Sequence, residues 1–480
     1  MKEIIYKAKK EIYIYNTLKR RKELFIPINK NKIGMYVCGP TLYKRIHLGN
    51  CRTFIFFDVL YRYFKHLKFN IKYIRNITDI NYNFNNSFDN KYYSYFYKIK
   101  TYYRKFNKIL NIFNLLSPNL EPRTTSHIIE QINNIKKILK LKLAYKKNGS
   151  IYFDIEKYNN NIGNYGKILN NINIYNQFKQ KNYFSKEKKN NLDFVLWKNL
   201  KSIKIIKWKT LWSTGIPGWH IGCTTISNKY LGNYFDIHGG GVDLKLPHHE
   251  CEIAQANVIN NNRNNLAKYW IHTNMLTINN KKMSKSLNNL IFPYDIIKGK
   301  FKITNNYEIN PFIIKLYLLQ THYRKPINFS LKAIKNTIKT YINLLNCFKK
   351  IKKIHPKKTS SNNINIKYYF ILCYKSINDD FNIPLLIYNL IKINKIIDKC
   401  LNNELKISFY DLKKIKKLMK VFLIDILGLK YLSRKLYKKK IKVFIKKILK
   451  IRNEMRKQKL YYYSDKIRNI LKNYVSIKDK

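Results

Sequence analysis

"IGMYVCGPTLYKRIHLGN", residues 33–50, decides how the chain reads. Ile33, Met35 and Val37 alternate until Gly39-Pro40, the pattern of a strand that stops at a turn. "CRTFIFFDVLYRYFKHL" (51–67) follows as a helix, and Asn50 stands where its N-cap is expected. "FNIKYIRNITDI" (69–80) reads as a second strand. Strand, glycine-containing loop, helix and strand make a βαβ unit, so the first part is expected to be a doubly wound α/β domain. Such domains bind ligands at the carboxyl ends of their strands, where Cys38 and His47 fall.

The chain has 480 residues, more than one core supports, so two to four domains are expected. Lys and Arg total 95 against 27 Asp and Glu, a formal charge of +68. Such an excess suits a polyanion, most simply a nucleic acid. Part of it has a blander source, because Lys, Asn, Ile, Tyr and Phe all have A/T-rich codons. Seven cysteines in this length are no disulfide framework, which excludes the small secreted scaffolds and points to a reducing cytoplasm. No apolar run reaches the roughly 18–20 residues of a membrane span. The first residues, "MKEIIYKAKKEIYIYN", lack the apolar core and cleavage site of a signal peptide, and a strand is expected from about residue 11.

Residues 81–106 and 156–192 are Asn/Lys/Tyr-rich with weak periodicity and read as surface insertions. Gly, Pro, His, Cys and Trp then crowd into 212–289. Beyond 330 the pattern is helical and almost free of glycine, split by "HPKKTSSNN" at 355–363.

"WHIGCTTIS" (219–227) supplies Cys223, and "LPHHECEIAQA" (246–256) sets Pro247 at a helix start with His248 and Glu252 four apart on one face. With Cys38 these are good zinc ligands, although a buried cysteine is more often an inert core residue, the reading favoured for Cys251. Three glycines at 239–241 follow a strand-like "YFDIH" and allow a backbone to approach a ligand closely. "NKKMSKSLNN" (280–289) has lysines and serines suited to phosphate, in a chain where a Lys/Ser loop is ordinarily a solvated face.

"HLGN" (47–50) followed by "KMSKS" (282–286) resembles the two signature motifs of class I aminoacyl-tRNA synthetases. "YVCGPTLY", "RNITDI", "EPRTTSHI", "DFVLWK", "PGWHIGC", "FDIHGGGVDLKLPHHECEIAQ" and "THYRKPINFS" narrow the resemblance to the cysteinyl-tRNA synthetase family, and "NDDFNIP" (378–384) and "SDKIRNIL" (464–471) carry it into the C-terminal half. The resemblance implies a Rossmann-type parallel-sheet catalytic domain in two halves, 1–118 and 209–275, around a connective insertion, 119–208. A stem-contact region with the lysine motif follows at 276–330. An all-α C-terminal half then comprises a helical bundle, 331–412, and an anticodon-binding domain, 413–480.

It also implies one zinc per chain on Cys38, Cys223, His248 and Glu252, with Mg²⁺ accompanying ATP. His47, Asn50, Lys282 and Lys285 are expected to be catalytic. Gly49, Asp243 and Lys285 are expected at ATP, and Thr78, Trp219 and His238 around the cysteine. The partners implied are tRNA-Cys, ATP and L-cysteine, for a cytoplasmic monomer that touches no membrane. The chain departs from the family pattern at several points. Asn50 stands for a frequent second His, Cys51 for a small residue expected to pack like Ala, and Asn288 for a usual Gly, where Asn best tolerates a positive φ. The acidic-basic continuation after "RNITDI" is lost, and the tail is short. Two rivals are a cysteine ligase with an amino-sugar acceptor and a catalytically dead RNA-binding paralogue; the C-terminal motifs and the intact ligand set argue against them.

Overall fold

Strand β1, Lys32–Val37, ends at the Gly39-Pro40 turn, and helix α1, Leu48–His66, begins ten residues later. The computed structural model that shows this describes residues 2–42, 44–80, 92–169, 187–200, 206–283, 287–300, 308–357, 365–430, 448–449 and 451–471. Strands β2 (Asn70–Arg75), β3 (Phe235–Gly241) and β4 (Ala267–Thr273) complete a parallel sheet of order β4-β3-β1-β2. The chain winds outward from β1 to β2 and, in the other direction, from β3 to β4. The switch point therefore lies between β1 and β3, where the Cys38 N–H donates to the Gly239 carbonyl at 3.0 Å. A crevice at the strand ends is the place such a sheet binds ligands.

Both faces of the sheet are covered, as the doubly wound expectation requires. Successive strand residues point to opposite faces. His238 meets Glu252 of helix α3 (Glu250–Ile259), while a Cβ on Gly239 would stand 2.1 Å from the Phe57 ring of α1. Helix α2, Trp219–Leu231, packs beside α3 over β1 and β2 through Cys223, Ile226, Ile253 and Ala256.

Two readings of the sequence change in detail. The N-cap of α1 is His47, not Asn50; Asn50 sits one turn in, and its side-chain oxygen accepts the His47 N–H at 3.1 Å. A residue at that position reaches back and satisfies an otherwise orphaned donor. Gly239–Gly241 end β3, paired with Ile271, His272 and Thr273 of β4. Residues Lys2–Lys10 form a helix, with a strand only at Tyr13–Asn16. In addition, part of the uninformative run 81–106 belongs to a helix, Tyr92–Ile112, whose Phe106 packs on Phe54 of α1.

A five-stranded antiparallel sheet is built from Ala144–Lys147, Ser150–Phe153, Phe194–Asn199, Thr214–Pro217 and Trp208–Lys209, and so runs past residue 208, where the insertion was expected to end. Its core residues Phe153, Phe194 and Trp197 merge with Ile221, Cys251 and Ala254 from α2 and α3. A third sheet joins β5 (Leu276–Ile278) to β6 (Lys281–Lys282) as a hairpin and to β7 (Ile327–Phe329) in parallel. Pro311–Leu319 is a helix within the segment expected to contact the stem, and the expected helical half follows as Leu331–Lys353, Ile366–Asn378, Ile383–Leu401 and Phe409–Met419. Each of these begins with an Asn or Ser side chain accepting a first-turn N–H, namely Asn310, Ser330, Asn365, Asn382 and Ser408.

Residues 1–429 make one compact unit and 430–480 a second, in which Tyr461–Leu471 is helical with Tyr461, Tyr462 and Tyr463 exposed. Among the described residues no helix is long and apolar enough to cross a membrane.

Candidate metal centre and active site

Cys38 leaves the end of β1, Cys223 lies in the second turn of α2, and His248 and Glu252 lie one helical turn apart at the start of α3. One ligand atom from each falls within 4.8 Å of all the others, and all four residues are buried. His248 Nε2 is 3.0 Å from Glu252 Oε1, the i,i+4 contact that the spacing anticipates. His238 Nε2 lies 2.8 Å from Glu252 Oε2 and holds the second carboxylate oxygen.

The Cys38 thiol hydrogen-bonded to it, against the effect of burial, holds Cys223 down at about 6. Burial and the same hydrogen bond push Cys38 well up. Burial opposes both charges of the His248–Glu252 pair, yet each partner overcomes it: His248 is raised to about 10, and His238 and His248 lower Glu252 to about 2. A thiolate, a carboxylate and an imidazole in one buried pocket fit a soft divalent metal such as zinc. Each of the ligating rings and carboxylates also has an outer partner, the usual arrangement around such an ion.

A second overlapping group, Cys38, His238, His249 and Glu252, also converges within 4.8 Å. The first set fits zinc better, since it offers two sulfurs and leaves His238 free to orient Glu252.

Beneath and beside the ligands lies a floor of histidines. His220 Nδ1 meets His248 Nδ1 at 2.8 Å, and His249 Nδ1 meets His272 Nε2 at 2.7 Å. His238 stacks on Trp270 with centroids 4.2 Å apart. Burial first, and the neighbouring rings next, hold His249 well below its usual value; burial does the same for His220 and His272. Trp219, the first residue of α2, lies over His248 at 4.5 Å and is 37% exposed, so it forms a wall between floor and solvent. Thr78 is tied to the turn after Cys38, its N–H donating to the Pro40 carbonyl and its own carbonyl accepting the Leu42 N–H.

The rim on the other side of Cys38 is made by "HLGN". His47 Nδ1 is buried with no hydrogen-bond partner among the described residues, and burial lowers the ring's pKa while Asp243 opposes and Lys44 assists. A Cβ on Gly49 would stand 3.2 Å from the Met283 methyl, a tight contact, so the two signature motifs lie side by side here. The Leu48 N–H donates to the Ile291 carbonyl at 2.8 Å, and Arg45 reaches Asp295 at 2.7 Å. Asp243 follows the last glycine of β3. Cys51 is buried within α1 and its thiol is pushed up by burial, the behaviour of a small apolar group.

The structure thus brings together Cys38, Cys223, His248, Glu252, His238 and Trp219. It places His47, Gly49 and Asn50 across the same strand end. Lys282 lies in β6, paired with Thr277. Lys285 falls outside the described residues. Asn288 has φ of +45°, the left-handed conformation expected where Gly is usual. The reading of the sequence missed His220 and His272. His220 stands three residues before Cys223, on the same face of α2, and that spacing was the available signal.

Residues 24–339 match the family model described as the tRNA synthetases class I (C) catalytic domain. A cysteine–tRNA ligase of Bacteroides thetaiotaomicron is 40% identical over 400 residues, covering 81% of this chain and 80% of that protein. A cysteine–tRNA ligase of Azobacteroides pseudotrichonymphae is also 40% identical, over 411 residues, covering 83% and 82%. Among solved structures, Mycobacterium tuberculosis methionyl-tRNA synthetase bound by methionyl-adenylate aligns with a TM-score of 0.54 at 10% identity, covering 82% of this chain and 90% of that one. Thermus thermophilus arginyl-tRNA synthetase aligns at 0.51 and 10%, covering 89% and 85%. At such identities these two speak for the fold alone.

Proposed function

The chain belongs to the cysteinyl-tRNA synthetases of class I, and from that premise we propose how its residues divide the work. The reaction joins L-cysteine to tRNA-Cys with ATP. A cysteine carboxylate oxygen attacks the α-phosphorus, and the bond to the bridging oxygen breaks to release pyrophosphate. A hydroxyl of the 3′-terminal adenosine then attacks the adenylate carbonyl and AMP leaves.

Cys38, Cys223, His248 and Glu252 would hold one zinc ion, which supplies a soft Lewis acid that a thiolate ligates well and a hydroxyl or methyl does not. That criterion is needed because serine and alanine are as small as cysteine or smaller, and a pocket judging shape alone separates them by only about 10–200-fold. His238 holds Glu252 in its ligating orientation. Trp219 and Thr78 close the amino-acid pocket above and beside it.

At the rim, burial disfavours the charged form of His47, and its ring offers an N–H to phosphate. The Asn50 carbonyl oxygen is occupied by the His47 N–H, which leaves its NH₂ as the donor. Both sit at the positive end of α1, where phosphate is favoured. Lys285, with Lys282, meets the negative charge that moves onto the leaving pyrophosphate, and Mg²⁺ accompanies the nucleotide. Asp243 takes the ATP ribose. Residues 413–480 contact the anticodon, and the enzyme works as a cytoplasmic monomer.

The observation that carries this reading is the convergence of two sulfurs, an imidazole and a carboxylate at the β1/β3 switch point, against the "HLGN" helix. The test is charging of a tRNA-Cys transcript with labelled cysteine. Charging that a zinc chelator abolishes supports the reading. Adenylate formation without charging favours an amino-sugar ligase, and neither activity marks a paralogue without catalysis.

A further inference from the structure

Arg52 lies two residues beyond "HLGN" in α1 and is 2% exposed. Its guanidinium is bound by carbonyl oxygens. Nη1 donates to Asn274 at 2.8 Å and Met275 at 2.7 Å, and Nη2 donates to Lys325 at 2.5 Å, His322 at 3.1 Å and Tyr323 at 3.5 Å. No carboxylate pairs with it among the described residues. Burial pulls its pKa down to about 10. Keeping a cation in such a place carries a desolvation penalty, so the fold retains it against a cost.

The carbonyls belong to two segments about fifty residues apart. Residues 274–275 lead directly into β5, and 322–325 lead into β7, which pairs with β5 in parallel. From β5 the chain turns through β6 into the lysine motif. One planar fork therefore fixes both roots of the small sheet to the helix whose first turn carries His47, Gly49 and Asn50. The opposite side of the second segment is gripped by Asp380. Tyr323 donates its hydroxyl to Oδ1 at 2.6 Å, Arg324 donates to Oδ2 at 2.6 Å, and the Tyr15 N–H donates to Oδ1 at 2.8 Å. Asp380 and Phe381 both hold left-handed backbone, φ +56° and +51°, a strained conformation that the surrounding bonds must impose.

We propose that Arg52 is a positioning residue for cysteine activation: it sets the lysine-motif sheet at a fixed distance from the helix that faces ATP. The inference rests on the reading that Lys285 stabilises the leaving pyrophosphate. A displacement of about 1 Å at the reacting groups lowers a rate by roughly 100-fold, so a pivot at the sheet's root acts strongly at its far end.

The experiment compares Arg52→Lys, Lys285→Ala and the double variant. Lysine keeps the charge but cannot span two carbonyl-bearing segments as a planar fork does. Single-turnover cysteinyl-adenylate formation in Arg52→Lys is expected to fall by roughly 100-fold, with zinc content unchanged and the KM for ATP within about threefold. Transfer from preformed adenylate to tRNA, which releases no pyrophosphate, should stay within about threefold. In the Lys285→Ala background the same change should cost little more, because the two act as one unit.

Equal losses in activation and transfer, or full additivity with Lys285→Ala, would overturn the proposal. Normal exchange by Lys285→Ala alone would instead remove the lysine reading, a distinguishable result. If Arg52→Lys does not fold, Asp380→Asn loosens the same segment from its other side and must show the same split between activation and transfer; a shared loss there refutes the proposal.

Discussion

His238, His248 and Glu252, on the floor of the site, are no more than 2% exposed and are joined to one another directly. His47, Gly49 and Asn50, at the rim, are partly open, and their ties run through backbone: Leu48 to the Ile291 carbonyl, Arg52 to five carbonyls. The difference follows the two tasks. Choosing a thiol requires ligands fixed before the substrate arrives, and buried rings stacked on Trp270 and on one another supply that. Handling phosphates needs donors facing an open crevice, set at the right distance by the frame behind them. A side-chain change on the floor should therefore damage metal and cysteine binding together, and one at the rim should damage the activation rate alone.

The sharpest break of that division is Glu252→Ala. It strips His238 and His248 of their common partner, a loss on the scale of about 3–5 kcal/mol for one member of a buried charged pair. Bound zinc, read by atomic absorption, should fall well below one per chain, and cysteine affinity should drop by roughly 100- to 1,000-fold. Full zinc occupancy with unchanged affinity would remove Glu252 from the ligand set.

On the rim, Lys285→Ala should slow cysteine-dependent pyrophosphate exchange by about 10²–10³-fold, the usual effect of deleting one transition-state donor, with zinc untouched. Loss of zinc in that variant would erase the distinction between floor and rim. A milder probe of the floor is His238→Gln. Removing an outer partner of a metal ligand typically lowers metal affinity by about 10–100-fold, measurable by competition with a chelator. An unaltered affinity would mean that Glu252 needs no second support.

The smallest effect is expected at Asn288. Replacement by Ala removes the side-chain amide that lets Asn tolerate left-handed backbone and should cost up to about 1 kcal/mol of stability, while Gly, which has no Cβ, should be neutral or better. Thermal melts of the two variants check the order, and equal melting temperatures would argue against that backbone conformation.

The four candidate ligands were legible chiefly through the family resemblance, because chemistry alone offered two cysteines, ordinarily inert core residues, and a His and Glu at helical spacing. The first strand, turn and helix were legible through their change of period from two to 3.6. What escaped was what topology alone decides. Asn50 reads as the cap because it is a good capping residue, but the helix starts earlier and uses Asn50 from within its first turn. The glycine run was legible as a site of close approach. Its partner, the Phe57 ring, comes from a helix some 180 residues earlier in the chain, and nothing local names it. His220 and His272 matter through rings contributed by α3, and Arg52 through carbonyls, which carry no residue identity for a sequence pattern to show.

The central claim is that this buried cluster lets the enzyme choose cysteine by its sulfur. Its most direct test is adenylate formation with cysteine and with serine, before and after the protein is stripped of zinc and then reloaded. The account predicts one zinc per chain, activity with cysteine far above that with serine, loss of that activity on stripping, and recovery on reloading. Stripped protein that activates cysteine at an undiminished rate, still in preference to serine, would contradict it.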